Sequence, residues 1–506
     1  MEAALLGLDL ALSWQVLLAV CLGTALGVAV GVLPGLGSVV GITMVLPFTL
    51  TMAQIPALGL LLGIYCGSVY GGSITAIVIN TPGTPQAAAT ALDGYPMAAR
   101  GQADLALGWA TTASLVGGLF SVGILILAAP QLAAFSLNFT SIEYFALGVF
   151  ALICIAQVSR GSMLKGLLSG ATGMFVASVG IDQVTGDMRF TFGNFAMSAG
   201  ISLIPAVVGL FALSEMFVRA SERHAPPVST DFQVGFKVPS FAQWRLRLGI
   251  LFKSCAIGSF IGTLPGTGAA TSAFISYAEA KRSSPNRDRI GKGEPDGIVA
   301  AESANNAVTG SALVPTLALG IPGDPVTAVM LGTLVVQGIT PGPRLFTDQL
   351  DIVYAIFFIL IAANITMFAV GAVGAQAFTR VLRVPQGLMM AGVVIVALLG
   401  AYAVRGNPLD LAIALVAGLV GFIMRKTGFP IAPMVIGMVL SPMIESSLRQ
   451  SLLLTRGDFW AFFERPIALG LFVLTALILA LPVLIAAFDR VRGARASHPR
   501  RPETDE

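Results

Sequence analysis

Charge is what this sequence has least of. Only 11% of its 506 residues are Asp, Glu, Lys or Arg, against roughly 25% in soluble domains. Residues 1–99 contain neither lysine nor arginine, while 56% of the chain is hydrophobic. So little polar surface excludes a water-soluble globule: the solvent for most of the chain is lipid. The formal net charge of +3 offers no basic field for a nucleic-acid partner. Cysteine and histidine are equally sparse. Cys21, Cys66, Cys154 and Cys255 stand singly in apolar segments, and His224 and His498 fall in polar ones. With no CxxC and no Cys/His cluster, a redox pair or a zinc site is excluded. No GxxxxGKS or GxxxxGKT sequence occurs, which removes a phosphate-loop ATPase. The nearest approach to the Gly-x-Gly-Asp element of an intramembrane aspartyl protease, Ile321-Pro322-Gly323-Asp324, lacks the first glycine. No second membrane aspartate is evident. No enzymatic activity is expected, and no cofactor.

What is abundant is apolar sequence. Runs at 16–32, 105–129, 144–158, 201–218, 352–373 and 467–488 reach or approach the ~20 residues that cross the hydrocarbon as a helix. The reading is an all-α polytopic integral membrane protein. It has about eleven to thirteen helical elements, some of them broken or re-entrant. Basic residues begin at Arg100 and cluster at Arg160/Lys165, 219–253, 281–292, Arg380/Arg383, Arg425/Lys426 and 490–501. Placing them in the cytoplasm puts the C-terminus inside and the N-terminus outside. No basic region precedes the first apolar run, so no cleaved signal peptide is expected.

The longest polar interval, 221–246, is rich in Pro, Ser and charge and divides the chain into a first membrane repeat (1–220) and a second (247–488), followed by a cytoplasmic tail (489–506). Landmarks recur in order on both sides. GVLPGLG (31–37) matches GTLPGTG (262–268), an offset of 231; INTPGTPQ (79–86) and GIPGDPVT (320–327) share Pro-Gly-x-Pro at an offset of 240. With basic loops inside, 105–129 runs outward and 352–373 inward, so the repeats are expected to be inverted, an arrangement common among secondary transporters.

Proline lacks an N–H and clashes with the preceding turn; glycine tolerates left-handed backbone. A Pro-Gly in mid-membrane therefore strands amides and carbonyls, at several kcal/mol each in lipid, unless they line a cavity or hold a ligand. The N-terminal end of a half-helix suits a carboxylate; exposed carbonyls suit Na⁺. The substrate-binding candidates are Pro34, Gly35, Gly37 and Ser38 at the first break and Asn80, Thr81, Gly83, Thr84 and Gln86 at the first hairpin. Gly266, Thr267 and Gly268 at the second break and Pro322 and Gly323 at the second hairpin complete them. Asn305, Asn306, Asp324, Thr327 and Glu302 are the cation-binding candidates, with Na⁺ at Asn305, Asn306 and Asp324. Asp324 has two readings: a functional intramembrane carboxylate, or an N-cap at a hydrated tip. Glu302, Asn305 and Asn306 either reach into the site or cap an interfacial helix start. Glycines at 23, 27 and 31 and at 63, 67 and 71 have the four-residue spacing of close helix packing; Gly71-Gly72-Ser73, which leads into the Asn80 break, has the alternative of approaching substrate. Arg100 and Arg344, each after a hairpin exit, either anchor at the interface or meet an acid. A channel is the rival function, since re-entrant loops also build filters.

GVLPGLG, YGGSITAIVINTPGTPQAAATALDGYPMA and ESANNAVTGSALVPTLALGIPGDPVTAVMLGTLVVQGITPGP together resemble the large membrane subunit of tripartite tricarboxylate transporters, the TctA family, with similarity from about residue 15 to 488. The resemblance implies a permease of the bacterial inner membrane importing tri- or dicarboxylates or related organic acids, coupled to a Na⁺ or H⁺ gradient, by an elevator-like movement. It implies two partners: a small four-helix membrane subunit (TctB-like) and a periplasmic solute-binding protein (TctC-like). Where the family often has Pro-Glu before the Asn-Asn region, this chain has Ala301-Glu302. Energetics asks for the coupling independently: importing a trianion against a negative interior costs about 7 kcal/mol per 100 mV, from ~2.3 kcal/mol per charge.

Overall fold

The computed structural model describes residues 2–158, 162–182, 184–222, 235–379 and 384–480. Most of the polar linker, the tail 489–506, the end of the last apolar run, and Arg160, His224, Arg380, Arg383 and His498 lie outside the described residues.

The described chain is helical almost throughout; its sheet is one two-stranded ribbon, β1 (Gly180–Ile181) with β2 (Met188–Arg189). Seven helices are long and apolar enough to cross a membrane, and seven shorter apolar ones accompany them. This is an all-α polytopic membrane protein. Several of the short helices exist because the Pro-Gly segments cut what composition alone reads as continuous spans.

In chain order the first half holds α1 (Glu2–Leu12), α2 (Trp14–Val32), α3 (Gly37–Thr49), α4 (Gln54–Ile79), α5 (Ala87–Ala99), α6 (Ala103–Ser136), α7 (Ser141–Val158) and α8 (Met163–Ala177). After the ribbon come α9 (Leu203–Val207), a π-helical turn (Val208–Leu213) and α10 (Ser214–Ser221). The second half holds α11 (Phe241–Arg245), α12 (Leu248–Thr263), α13 (Gly268–Ser283), α14 (Pro295–Ser311), α15 (Leu313–Leu319), α16 (Pro325–Val336), α17 (Leu345–Asp348) and α18 (Leu350–Thr379). It continues with α19 (Gln386–Ala403), α20 (Pro408–Thr427), α21 (Ile431–Leu454) and α22 (Ala461–Glu464), and a short apolar helix, Pro466–Ala480, ends the described chain. Proline opens α14, α16 and α20, where its missing N–H costs nothing and its fixed φ suits the first turn. At 34 residues α6 is about 51 Å long at 1.5 Å per residue, well beyond the ~30 Å hydrocarbon.

Two helices form the interior. Every residue from 57 to 78 in α4 is buried, as is every residue from 296 to 311 in α14. Each leads into a Pro-Gly-x-Pro hairpin. In α14 the buried set includes Glu302, Asn305, Asn306, Thr309 and Ser311, so polar groups penetrate deeply there. α2 and α4 meet along small residues. A Cβ at Gly23, Gly27 or Gly31 would run into the carbonyls of Leu60, Ile64 or Ser68; one at Gly63, Gly67 or Gly71 would meet those of Val20, Thr24 or Val28. The rows interlock from both sides, which is what lets two backbones approach this closely. In the second half Gly258 of α12 meets the Ala304 carbonyl of α14 in the same way, and Gly262 abuts Ser311 Oγ and Val308 Cα.

Candidate functional site

Each half breaks its first helix by one local mechanism. Leu33 and Leu264 leave the helix in extended conformation (φ −78°, ψ 114°; φ −85°, ψ 125°), the only comfortable geometry before a proline. Gly35 and Gly266 then take φ +80° and +83°, and Gly37 and Gly268 take +65° and +69°, values that favour glycine. The chain resumes as α3 and α13. The hairpins are matched as well. α4 ends at Asn80 in left-handed conformation (φ 54°) and α15 at Gly320 (φ 70°). The amides of Thr81 and Ile321 donate back to the carbonyls of Thr75 and Pro315, both at 3.3 Å.

Break and hairpin are stitched together in each half. The Gly35 N–H donates to the Gly83 carbonyl at 3.2 Å, and the Gly266 N–H to the Gly323 carbonyl at 2.7 Å. The residue offsets of these two bonds are those of the sequence repeat. Stranded amides are thereby partly satisfied by the partner break, and the remaining backbone faces a cavity.

That cavity measures about 740 Å³. Gly35, Gly37, Ser38, Gln86, Gly266, Thr267, Gly268 and Asp324, all sequence candidates, border it. The N-terminal ends of α3, α5, α13 and α16 meet there, since Gly37, Gln86, Gly268 and Pro325 are among its walls. Each such end carries roughly half a positive charge and free N–H groups, so four together make a focus for an anion. The other candidates stand behind this layer. Pro34 and Pro322 set the bends. Gly83 and Gly323 supply the stitching carbonyls. Asn80 is the exposed cap of α4, and Thr81 Oγ1 donates to the Ile79 carbonyl at 3.3 Å. Thr84 Oγ1 is buried with no hydrogen-bond partner among the described residues.

Asp324 does two things. Its Oδ1 accepts the Thr327 amide at 2.7 Å while Thr327 Oγ1 accepts the Asp324 amide at 2.9 Å, a reciprocal cap on α16. Its Oδ2 accepts the Tyr65 hydroxyl at 2.6 Å, and both residues line the cavity. The cap and the site-facing carboxylate are one residue.

Glu302 belongs to a separate buried cluster. Oε1 accepts from Ser73 at 2.5 Å and from Thr90, and Oε2 accepts from Ser114 at 2.8 Å. Three hydroxyls on α4, α5 and α6 thus surround a carboxylate from α14, and no Lys or Arg pairs with it among the described residues. One turn on, Asn306 Nδ2 donates to Asn305 Oδ1 at 2.5 Å and to the Glu302 carbonyl at 3.1 Å. Asn305 Nδ2 and Asn306 Oδ1 have no partner among the described residues. The structure therefore puts Asn305 and Asn306 beside Glu302, and no hydrogen bond joins either to Asp324. Among the described residues no three His, Cys, Asp or Glu side chains come together.

Sequence reasoning passed over Tyr65, Thr90 and Ser114, which look like ordinary span residues, and over Glu215 and Arg425, which also line the cavity. The Glu215/Arg219 spacing of four was the available signal for Glu215; nothing local marked Arg425 as its second partner.

The chain matches the model of the tripartite tricarboxylate transporter TctA family over residues 17–436. The chain belongs to the TctA family. Its matched segment runs from α2 into α21, so both break-and-hairpin units and the whole cavity wall fall inside it. Among its relatives, an uncharacterized 52.8 kDa protein in the TAR-I ttuC' 3' region of Agrobacterium vitis is 36% identical over 466 residues, 91% of either chain. An uncharacterized protein in the TAR-II ttuC' 3' region of the same organism is 34% identical over 237 residues, which make up 46% of this chain and 98% of that one. TctA proteins are the large subunits of tripartite transporters.

Proposed function

We propose that this TctA chain is the permease subunit of a binding-protein-dependent secondary transporter that imports a tri- or dicarboxylate or related organic acid. One observation carries the reading: four half-helix N-termini, from two stitched break-and-hairpin units, border a single cavity. An acid carboxylate there satisfies amides that otherwise face water or lipid. The cavity volume falls within the range of small-molecule sites.

Coupling to Na⁺ or H⁺ removes the electrical penalty of carrying an anion inward. Glu302 with Ser73, Thr90 and Ser114 is the stronger candidate for that ion, because its carboxylate is fully buried without a compensating cation; Asp324, with Thr327 and Tyr65, is the second. The two halves are proposed as inverted repeats whose hairpin arms move together in an elevator-like cycle. A small four-helix subunit and a periplasmic binding protein complete the assembly in the bacterial inner membrane, with the N-terminus outside and the C-terminus in the cytoplasm. In support of that orientation, the basic segments near Arg100, 237–247 and 289–293 touch one another. Arg100 donates to the Gly293 carbonyl, the Lys237 amide to the Asp104 carbonyl, and Arg247 pairs with Glu294.

Replacing Pro34-Gly35 by Ala-Ala, or Pro265-Gly266 likewise, is the test. The helices then run on through the breaks. Uptake of citrate or succinate by cells carrying the full tripartite system is expected to vanish while membrane insertion persists. Wild-type uptake by both variants refutes the reading.

A further inference from the structure

One wall of the cavity is built differently from the rest. It comes from α10, the last turn of α20 and the link at 428–432, outside both break-and-hairpin units. There Glu215 Oε1 accepts from Arg219 Nε at 2.9 Å and Glu215 Oε2 from Arg425 Nη1 at 2.8 Å; Arg425 Nε donates to Ser214 Oγ at 3.2 Å. Two guanidiniums share one carboxylate, so the group carries a net positive charge. Glu215 and Arg425 both border the cavity. Arg219 lies against the first break, where a Cβ on Gly35 would collide with its Nη2.

The pairing is uneven in a telling way. Arg219 sits one turn from Glu215 on the same helix and already neutralises it. Arg425 is therefore a surplus cation, and it is also the more exposed, at 33% of its side-chain surface against 12% for Arg219 and 10% for Glu215. Its Nη2 has no acceptor among the described residues. A guanidinium is never deprotonated, and its planar fork matches a carboxylate through two parallel N–H bonds. Holding such a group, incompletely paired, at the edge of a membrane cavity is costly unless something else takes the free donors.

We propose that Arg425 is the docking point for a second carboxylate of the transported acid, with Glu215 holding the guanidinium in position and Arg219 fixing Glu215. The inference rests on the carboxylate reading above and adds its specificity. One acid group meets the half-helix N-termini and another meets Arg425. Acids with at least two carboxylates are therefore selected over monocarboxylates of similar size. Glu215 is a positioning residue, since it acts through Arg425.

The experiment uses the full chain with its two partner subunits in proteoliposomes, and measures uptake of citrate, succinate and benzoate. Arg425→Gln removes the fork. It is expected to raise KM for the di- or tricarboxylate carried by the wild type roughly 10- to 100-fold, the weight of a charge-assisted hydrogen bond. Arg425→Lys, which keeps the charge and the link to Glu215, is expected to fall between and serves if the first variant does not fold. The double variant Arg425→Gln, Glu215→Gln removes the carboxylate together with Arg425 and returns the cluster to its wild-type net positive charge. If Arg425 served only to pair Glu215, the double variant would recover the wild-type KM; the proposal expects it to stay high. An unchanged KM in Arg425→Gln, or recovery in the double variant, overturns the assignment of Arg425 alone. Wild-type uptake of none of the three acids overturns the carboxylate reading beneath it.

Discussion

The stitching of break to hairpin can be tested at Gly83, where the packing dictates both the sign and the size of the effect. Gly83 has no unusual φ, so alanine there is not strained by its own backbone. The obstacle is space: a Cβ would land on the Gly31 carbonyl oxygen and lie 3.0 Å from the Gly31 carbonyl carbon and from Gly72 Cα. All of these are backbone atoms of α2 and α4, which cannot rotate away as a flexible side chain would. Overpacking a site of this kind costs roughly 1–3 kcal/mol. Displacing the Gly83 carbonyl from the Gly35 amide forfeits about 1 kcal/mol more. The expected loss for Gly83→Ala is thus about 2–4 kcal/mol. Gly123 in α6 is the control, since no atom lies within 4 Å of a Cβ there. Alanine is worth up to about 1 kcal/mol over glycine inside a helix. Thermal unfolding of the detergent-solubilised protein should move down for Gly83→Ala and stay level or rise for Gly123→Ala. Uptake corrected for expression should fall at least tenfold for the former. A Gly83→Ala protein that melts with the wild type and transports normally would refute the claimed fit between break and hairpin.

Two further expectations are independent of that fit. Glu302→Gln preserves volume and leaves Ser73, Thr90 and Ser114 a hydrogen-bonding partner; cation-driven accumulation should be lost while solute exchange across the membrane persists, and accumulation that still follows the Na⁺ or H⁺ gradient would rule Glu302 out as the coupling group. At the exposed end of α13, hydrogen bonds from Arg282 and then Lys253 hold the Glu279 carboxyl down at about 2 instead of 4.5. Because the folded value is depressed, its stabilisation is complete above pH ~4.5 and fades as pH falls toward 2. The melting difference between Glu279→Gln and wild type should be flat above about pH 5, shrink below it, and shrink with salt; a difference that grows on acidification contradicts the pairing.

How much of this was legible in the sequence varies with the kind of signal. Backbone-determined features read well. Pro34-Gly35 and Pro265-Gly266 announce their bends because proline and glycine restrict or free the chain irrespective of surroundings, and the glycines at 23, 27, 31, 63, 67 and 71 announce a seam because only close contact explains their spacing. Features that depend on which helix lies beside which did not read. Glu302 was visible as an odd charge, yet its partners come from positions 73, 90 and 114; Ser73 was marked only by the glycines before it, and nothing local distinguishes Thr90 and Ser114 from other hydroxyls in apolar spans. The expected grouping of Asn305 and Asn306 with Asp324 joined residues by shared polarity; the hydrogen bond that Asn306 makes to the Glu302 carbonyl is a detail that polarity does not announce. Arg425 looked like a positive-inside anchor because it stands at a span's end; that this end borders the cavity is a tertiary fact.

The interleaved glycines of α2 and α4 also limit how this protein can change shape. Sliding one of these helices along the other would drive each carbonyl ridge across the next glycine notch, with obstruction coming from both partners at once. Lengthwise slip is blocked, and the pair behaves as a single rigid strut. Any rearrangement of this pair against its surroundings is left to the joints at residues 33–36 and 80–86, where the helical ladder is already interrupted and bending severs few bonds.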